Sequence, residues 1–188
     1  MSLAQMRKFF KDYIQSIVPY EPGKPIEEVE RELGLLGVTK LASNENPLGP
    51  SRKALRAMRA ALRRVHLYPD GGCYELKHRL SEEYGLSRDQ FLIGNGSDEI
   101  LSLLARAFLN EGDKVISSDC SFLIYPLVTQ ACGATYVPVP MKDFRYDLKA
   151  ILDQIDDRTR IIFIANPNNP TGTYVRADEV EDFLSKVP

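Results

Sequence analysis

Three short stretches of the sequence hold residue types that chemistry can use. Gly94-Asn95-Gly96-Ser97-Asp98-Glu99 sets two glycines ahead of a run that reads as a helix. Glycines let the backbone turn tightly, and the free N–H groups of a helix start point outward at the positive end of its dipole. That arrangement suits an anionic group such as phosphate. It serves equally as an ordinary strand-to-helix turn with a serine cap. The dinucleotide fingerprint GxGxxG is not met, because Glu99 stands where the third glycine belongs, and the chain has no GxxxxGK[ST] loop for a nucleoside triphosphate.

The second stretch is Asn166-Pro167-Asn168-Asn169-Pro170-Thr171-Gly172, directly after the most apolar run of the chain. Asn and Gly accept unusual backbone angles and Pro stops a strand, so a plain turn is one reading. Three Asn and two Pro exceed what a turn needs. Prolines stiffen such a loop and fix an Asn amide at a strand end, where it can donate to a phenolate-type oxygen. The third stretch, Asp119-Cys120-Ser121-Phe122-Leu123-Ile124-Tyr125, also follows a strand. Phe122 either joins the core or lays its ring against a planar ligand.

These loops need elements to position them. Residues 1 to about 50 lack a steady period and hold Pro19, Pro22, Gly23, Pro25, Gly34, Gly37, Pro47, Gly49 and Pro50, which reads as an extended arm with short helical pieces. Met6–Val18 fits a short amphipathic helix with Phe9, Phe10, Tyr13, Ile14 and Ile17 on its apolar face. Ser51 fits an N-cap, ahead of Ala54, Leu55, Met58, Ala61, Leu62 and Val65 at helical spacing. The arginines at 56, 59, 63 and 64 read as the solvated face of that helix. Tyr68-Pro69-Asp70-Gly71-Gly72 breaks the chain before a helix over Tyr74–Tyr84, which Gly85 ends.

From there strands and helices alternate. Strands are predicted at 91–93, 115–116, 135–139 and 160–165, the last being the most hydrophobic. Helices are predicted after Gly96 (Ile100, Leu101, Leu104, Ala107 and Phe108 on one face) and over 122–131, 148–155 and 176–186. The alternation with apolar strands predicts an α/β domain with a largely parallel sheet covered on both faces. Ligands bind such sheets at the carboxyl ends of the strands, which is where all three loops fall.

Composition sets outer bounds. The chain has 188 residues with 24 Lys+Arg against 26 Asp+Glu, a net charge of -2 that disfavours nucleic acid as main partner. The longest uncharged run, residues 120–141, is broken by Pro126, Gln130, Gly133, Pro138 and Pro140, so no membrane span is expected. Met1-Ser2-Leu3 is followed by charges and reads as a remnant of expression, not a signal peptide. Cys73, Cys120 and Cys132 are odd in number and lack CxxC spacing, which fits reduced thiols and a cytoplasmic protein. His66 and His78 lack metal-type spacing, and no metal is expected.

A phosphate cradle, an Asn donor and an aromatic plate at one sheet edge suit pyridoxal 5'-phosphate, which needs a partner of each kind. The chain also resembles the N-terminal half of the histidinol-phosphate aminotransferases, within the class I/II, fold-type-I pyridoxal-phosphate enzymes. The resemblance lies in PYEPGKP (19–25), LASNENPLGP (41–50), YPDGG (68–72), GNGSDEILSLLARAF (94–108), SFLIYP (121–126) and NPNNPTG (166–172), in family order and spacing. It implies an arm with the start of a small domain over 1–50, and the first part of the cofactor-binding large domain over 51–188. It implies that Gly96, Ser97 and Asp98 meet the cofactor phosphate, that Phe122 stacks on the pyridine ring, and that Asn169 binds the phenolic oxygen. Tyr68 is implied to reach the neighbouring subunit's cofactor phosphate in a homodimer, and Tyr20 and Asn46 to line the substrate site.

The implied reaction is transamination between histidinol phosphate (an amino phosphate ester) and 2-oxoglutarate (a 2-oxo acid). Its implied products are imidazole-acetol phosphate and glutamate. A threonine-phosphate decarboxylase or an aromatic aminotransferase would share the cofactor loops, and a non-catalytic binding or dimerisation module is the reading from a different class. The family's Schiff-base Lys, pyridinium Asp and phosphate Arg fall in motifs beyond NPNNPTG, and no lysine of residues 1–188 stands in the Schiff-base motif. The expectation is therefore a chain cut in mid-sheet, inactive alone, with no catalytic residue of its own.

Overall fold

The computed structural model describes residues 5, 6, 8–20, 23–41 and 43–188. Met1-Ser2-Leu3, Arg7 of the expected first helix, Glu21 and Pro22 of PYEPGKP, and Ala42 of LASNENPLGP lie outside the described residues. The helices, in chain order, are α1 (Asp12–Gln15), α2 (Ile26–Leu33), α3 (Arg52–Ala61), α4 (Tyr74–Tyr84), α5 (Gly96–Phe108), α6 (Ile124–Ala131), α7 (Leu148–Leu152) and α8 (Ala177–Leu184). The strands are β1 (Lys114–Ser118), β2 (Thr135–Val139) and β3 (Thr159–Ile162). Two compact units divide them: Met1–Tyr20 with Gly94–Pro188, and Glu21–Ile93.

In the first unit the three strands form a parallel sheet in the order β2-β1-β3, with Ser118 opposite Val139 and Ile116 opposite Ile162. Successive strand residues point to opposite faces, and β1 uses both. Val115 joins Ala105, Leu109, Ile124, Tyr125, Val128 and Phe163 under α5 and α6. Ile116 joins Val139, Tyr146, Ile151, Val175 and Phe183 under α7 and α8. A sheet covered on both faces needs strands as apolar as these, so the α/β expectation is met.

Two strand expectations change. Residues 91–93 form no strand, because a ladder needs a partner and none among the described residues lies beside them. The strand expected over 160–165 ends at Ile162. Phe163 N still donates to Ile116 O at 2.9 Å, but then side-chain hydroxyls replace the ladder. Ser117 Oγ donates to Phe163 O at 2.8 Å, and Ala165 N donates to Tyr146 Oη at 3.1 Å. The helices expected over 122–131, 148–155 and 176–186 are each present and shorter.

The helix expected over Met6–Val18 has described ends only as Asp12–Gln15. It sits against α6, where Gln130 Nε2 donates to Tyr13 O at 3.2 Å and to Ser16 Oγ at 2.8 Å. Tyr13 and Ile17 are half-buried, whereas Phe9, Phe10 and Ile14 are exposed and the expected apolar face is only partly used.

In the second unit the helix boundaries match expectation and the packing does not. Ser51 Oγ accepts from Lys53 N at 3.2 Å, and α4 stops at Gly85 with φ +66°. Asp70 folds YPDGG onto the start of α4, accepting from Gly72 N at 2.9 Å and Tyr74 N at 2.8 Å. Those two donors hold its carboxyl below the usual carboxylate range. Yet α2, α3 and α4 contain no buried residue, because nothing among the described residues covers their apolar sides. No helix among the described residues is long and apolar enough to cross a membrane.

Candidate functional site

The carboxyl edge of the sheet is where β1 and β3 release the chain into the two loops singled out by sequence. α5 reaches the same edge for a topological reason. A five-residue link, 109–113, joins its C-terminus to the amino end of β1. A 13-residue helix spans about 20 Å, more than the length of a five-residue strand, so its N-terminus returns to the carboxyl edge.

At that N-terminus Gly96 takes φ +71°, left-handed backbone that costs an L side chain about 1–2 kcal/mol. Gly94 is needed for a different reason. A Cβ there would lie 2.8 Å from Ile100 Cδ1 and 3.1 Å from Glu99 Oε2. The turn closes by Gly96 N donating to Gly94 O at 3.0 Å and Asn95 N donating to Glu99 Oε2 at 2.5 Å. Glu99 is thereby folded back onto the turn. The serine-cap reading is not met, since Asn95 is the cap residue and makes no side-chain cap bond. Gly96, Ser97 and Asp98 are exposed in the first turn, whose amides have no intrahelical acceptor. The arrangement can hold an anion.

The loop after β3 separates its three asparagines by role. Asn166 Nδ2 donates to Val175 O at 2.9 Å, and its Oδ1 accepts from Val175 N at 3.0 Å. Asn168 is buried and fully engaged. Its Oδ1 accepts from Ser121 Oγ at 2.9 Å, and its Nδ2 donates to Cys120 O at 3.0 Å and Thr171 Oγ1 at 2.8 Å. Asn169 is half-buried, and its amide has no hydrogen-bond partner among the described residues. The Asn166-Pro167 and Asn169-Pro170 peptide bonds are cis.

Phe122 sits two residues before α6, half-buried, its ring perpendicular to Tyr125 at 5.7 Å between centroids. Tyr125 is itself stacked on Phe163 at 4.5 Å, and burial there pushes its hydroxyl up to about 12. Tyr125 is thus a core residue that backs Phe122. The Phe122 and Asn169 loops meet through the Ser121–Asn168 bond.

The remaining sequence candidates divide between the two units. Tyr20 ends the arm of the first unit and is about half exposed. Asn46 belongs to the second unit, where its side chain closes its own turn: Nδ2 donates to Gly49 O at 3.0 Å and Oδ1 accepts from Leu48 N at 3.1 Å. Tyr68, also in the second unit, is fully exposed. His78 pairs with Glu82 at 3.3 Å along α4. Among the described residues no group of three or more His, Cys, Asp or Glu is placed to hold a metal ion.

Sequence reasoning did not single out Ser121, Tyr146 or Asn168 for a role. Tyr146 Oη lies 2.7 Å from Ser121 Oγ and accepts from Ala165 N. No local pattern marks a residue whose partners are 19 and 25 positions away.

The chain is similar to proteins of one kind. It is 52% identical over 177 residues to histidinol-phosphate aminotransferase 2 of Nitrosospira multiformis, covering 93% of this chain and 45% of that relative. It is 49% identical over 178 residues to the histidinol-phosphate aminotransferase of Moorella thermoacetica, covering 95% and 46%. The chain therefore spans about half the length of the curated relatives it matches. Its fold superposes with a TM-score of 0.85 at 29% identity on a crystal structure of the Sinorhizobium meliloti histidinol-phosphate aminotransferase in complex with pyridoxal-5'-phosphate, covering 95% of this chain and 48% of that one. The sequence pattern of the class I and II aminotransferases matches residues 37–188, a span that takes in both glycine-turned and asparagine-rich loops, and the chain belongs to that family.

Proposed function

We propose that the carboxyl-edge cluster binds pyridoxal 5'-phosphate, and that the whole protein is a histidinol-phosphate transaminase. It would exchange the amino group of histidinol phosphate with 2-oxoglutarate, giving imidazole-acetol phosphate and glutamate in histidine biosynthesis. The observation that carries the cofactor reading is Asn169. Two asparagines of its loop are consumed by the fold, while its own amide is left with a free donor beside the Phe122 loop. The substrate choice is supported by the names of relatives about 50% identical to the chain.

The residues present fit the cofactor. First-turn amides at Ser97 and Asp98, with Gly96 shaping the turn, supply donors for a phosphate at a helix dipole. The Glu99 carboxylate, folded back on Asn95 N, is occupied by the turn. Phe122 offers a ring with an aromatic backing, and Asn169 a donor that favours negative charge on a phenolic oxygen. When bound, the cofactor supplies the electron sink that amino-group exchange requires. These side chains bind and orient it and move no proton.

The reading extends to a cytoplasmic homodimer. Tyr68 would contribute to the neighbour's phosphate site, and its full exposure beside exposed Leu62 and Val65 is consistent with coverage by a second copy. Tyr20 and Asn46 are the proposed substrate-side residues. A steady-state assay of the whole protein with histidinol phosphate and 2-oxoglutarate tests the assignment, with glutamate formation expected. Activity on threonine phosphate or phenylalanine without turnover of histidinol phosphate would overturn it.

A further inference from the structure

The bonds joining the two ligand loops run in one direction. Ala165 N–H can only donate, so Tyr146 Oη accepts from it at 3.1 Å. Ser121 Oγ donates to the Asn168 carbonyl at 2.9 Å, so its contact with Tyr146 at 2.7 Å has the phenol as donor. On the other side of Asn168, its NH2 group donates to Thr171 Oγ1, which leaves Thr171 as donor to Thr173 Oγ1 at 2.8 Å. Thr173 Oγ1 then donates to Phe144 O at 2.6 Å. Every hydroxyl donates once, Thr171 Oγ1 also accepts from Thr173 N at 3.4 Å, and Cys120 O, which can only accept, fixes the orientation of the Asn168 amide. Such a chain polarises its members in one sense.

Its geometry is closed. Tyr146 touches the start of the NPNNPTG loop through Ala165 and the Phe122 loop through Ser121, and Asn168 ties those loops a second time through Cys120 O. The Tyr146 ring is buried with Ile116, Val139, Ile151, Val175 and Phe183, so the hydroxyl projects from a packed core. At the far end Phe144 and Asp143 hold φ +58° and +52° in a two-residue turn between Lys142 and Arg145, whose backbones bond both ways. Both central residues are in the left-handed region that a type I′ turn demands, and neither is glycine. Phe122 directly follows Ser121, and Asn169 directly follows Asn168. Each candidate ligand residue is thus one peptide away from a clamp residue, while making no clamp bond itself.

We propose that Tyr146, acting through Ser121 and Asn168, is a positioning residue that sets the Phe122 ring and the Asn169 amide at the separation a planar phenolic cofactor requires. The inference rests on the pyridoxal-phosphate reading above. A preset clamp lowers the ordering cost of binding, because two loops on different strands need not be brought together by the ligand. The Tyr146 phenol touches no cofactor atom in this scheme, so its effect is read in affinity and in the cofactor's environment.

The experiment uses apo whole protein titrated with pyridoxal phosphate by fluorescence. The absorption band of the bound cofactor and the melting temperature of the apo form are recorded alongside. Tyr146→Phe removes one hydroxyl and keeps the ring, and is expected to weaken binding about tenfold and shift the band. Ser121→Ala cuts the same link from the loop side and keeps the test standing if Tyr146→Phe fails to fold. The double variant should bind no more than about twofold worse than the weaker single, as one chain broken twice. Ser117→Ala is the control: it removes a buried bond to Phe163 O that belongs to neither loop clamp, and should lower the melting temperature with affinity unchanged. If Tyr146→Phe and Ser121→Ala melt lower yet keep affinity and band within about twofold, the positioning role is overturned and the cofactor reading survives. If the unmodified protein binds no pyridoxal phosphate, both fall.

Discussion

Ser121 Oγ donates to Asn168 Oδ1 across 2.9 Å, joining the loop after β1 to the loop after β3 by a bond between residues 47 positions apart. Neighbouring asparagines therefore have opposite duties. Asn168→Ala removes the amide donor to Cys120 O and one of the bonds of Ser121 and of Thr171 in a buried to part-buried place, and should cost about 2–3 kcal/mol in denaturant unfolding. Asn169→Ala removes an amide with no partner and should change stability by no more than about 0.5 kcal/mol. In the whole protein the order reverses for cofactor affinity, with Asn169→Ala losing it at unchanged stability. Equal destabilisation by the two substitutions would contradict the assignment of roles.

The two glycines of the α5 turn fail for different reasons, and asparagine separates them. Gly96 has open space around it and φ +71°, so Gly96→Ala costs backbone strain of about 1–2 kcal/mol. Asn tolerates left-handed backbone, so Gly96→Asn should recover part of that loss. At Gly94 the obstacle is steric, because Ile100 Cδ1 would stand 2.8 Å from any added Cβ. Gly94→Asn should therefore be no better than Gly94→Ala. Thermal unfolding of the four variants checks the pattern. The same ranking at both sites would show that one cause operates at each.

Much of this frame was legible from residue order. The α4 helix ends where Gly85 says it should, and strand-helix alternation pointed to the parallel sheet. The three loops carrying Gly96, Phe122 and Asn169 were found from glycine, aromatic and Asn-Pro content alone. What stayed hidden depended on contacts between distant positions. Asn168 and Asn169 are the same residue type in one loop, and only Ser121 and Cys120, delivered by another strand, distinguish them. Tyr146 reads as one more aromatic until the sheet brings Ala165 to its hydroxyl. The apolar spacing of α3 predicted a buried face, but periodicity records only that a face is apolar, not that described residues cover it.

Burial gives Tyr125 a pH signature. The protein interior pushes its hydroxyl from the ordinary 10.0 up to about 12, with the neighbouring Tyr146 and Tyr136 adding to the shift. Below about pH 10 the folded and unfolded chains both keep the proton, and the contribution is complete. Between 10 and about 12 the unfolded chain releases it while the folded chain holds it, so stability falls as pH rises through that window. Tyr125→Phe keeps the stack on Phe163 and removes the titration. Melting temperatures measured across the window should therefore decline less steeply for Tyr125→Phe than for the unmodified chain. Parallel curves would mean the hydroxyl is not desolvated.

The docking of α1 on α6 is tested at Gly133, where strain and sterics act together. Its φ is +72°, and a Cβ would stand 2.8 Å from Tyr13 Cε1, 3.1 Å from Tyr13 Cδ1 and 3.2 Å from Glu111 Cγ. Gly133→Ala therefore strains the left-handed backbone and also pushes against the Tyr13 ring that Gln130 helps to hold. A loss of about 2–3 kcal/mol is expected, larger than for Gly96→Ala, where only strain applies. Tyr13→Ala removes the ring that the new methyl would strike. In the double variant the steric part disappears while the strain remains, so its loss should be smaller than the sum of the singles by about 1 kcal/mol. Amide exchange reports on the same contact from the arm: protection around Tyr13 should fall in Gly133→Ala and stay unchanged in Gly96→Ala. Strictly additive energies, with protection of the arm unaltered, would mean that Tyr13 does not rest on Gly133 in solution.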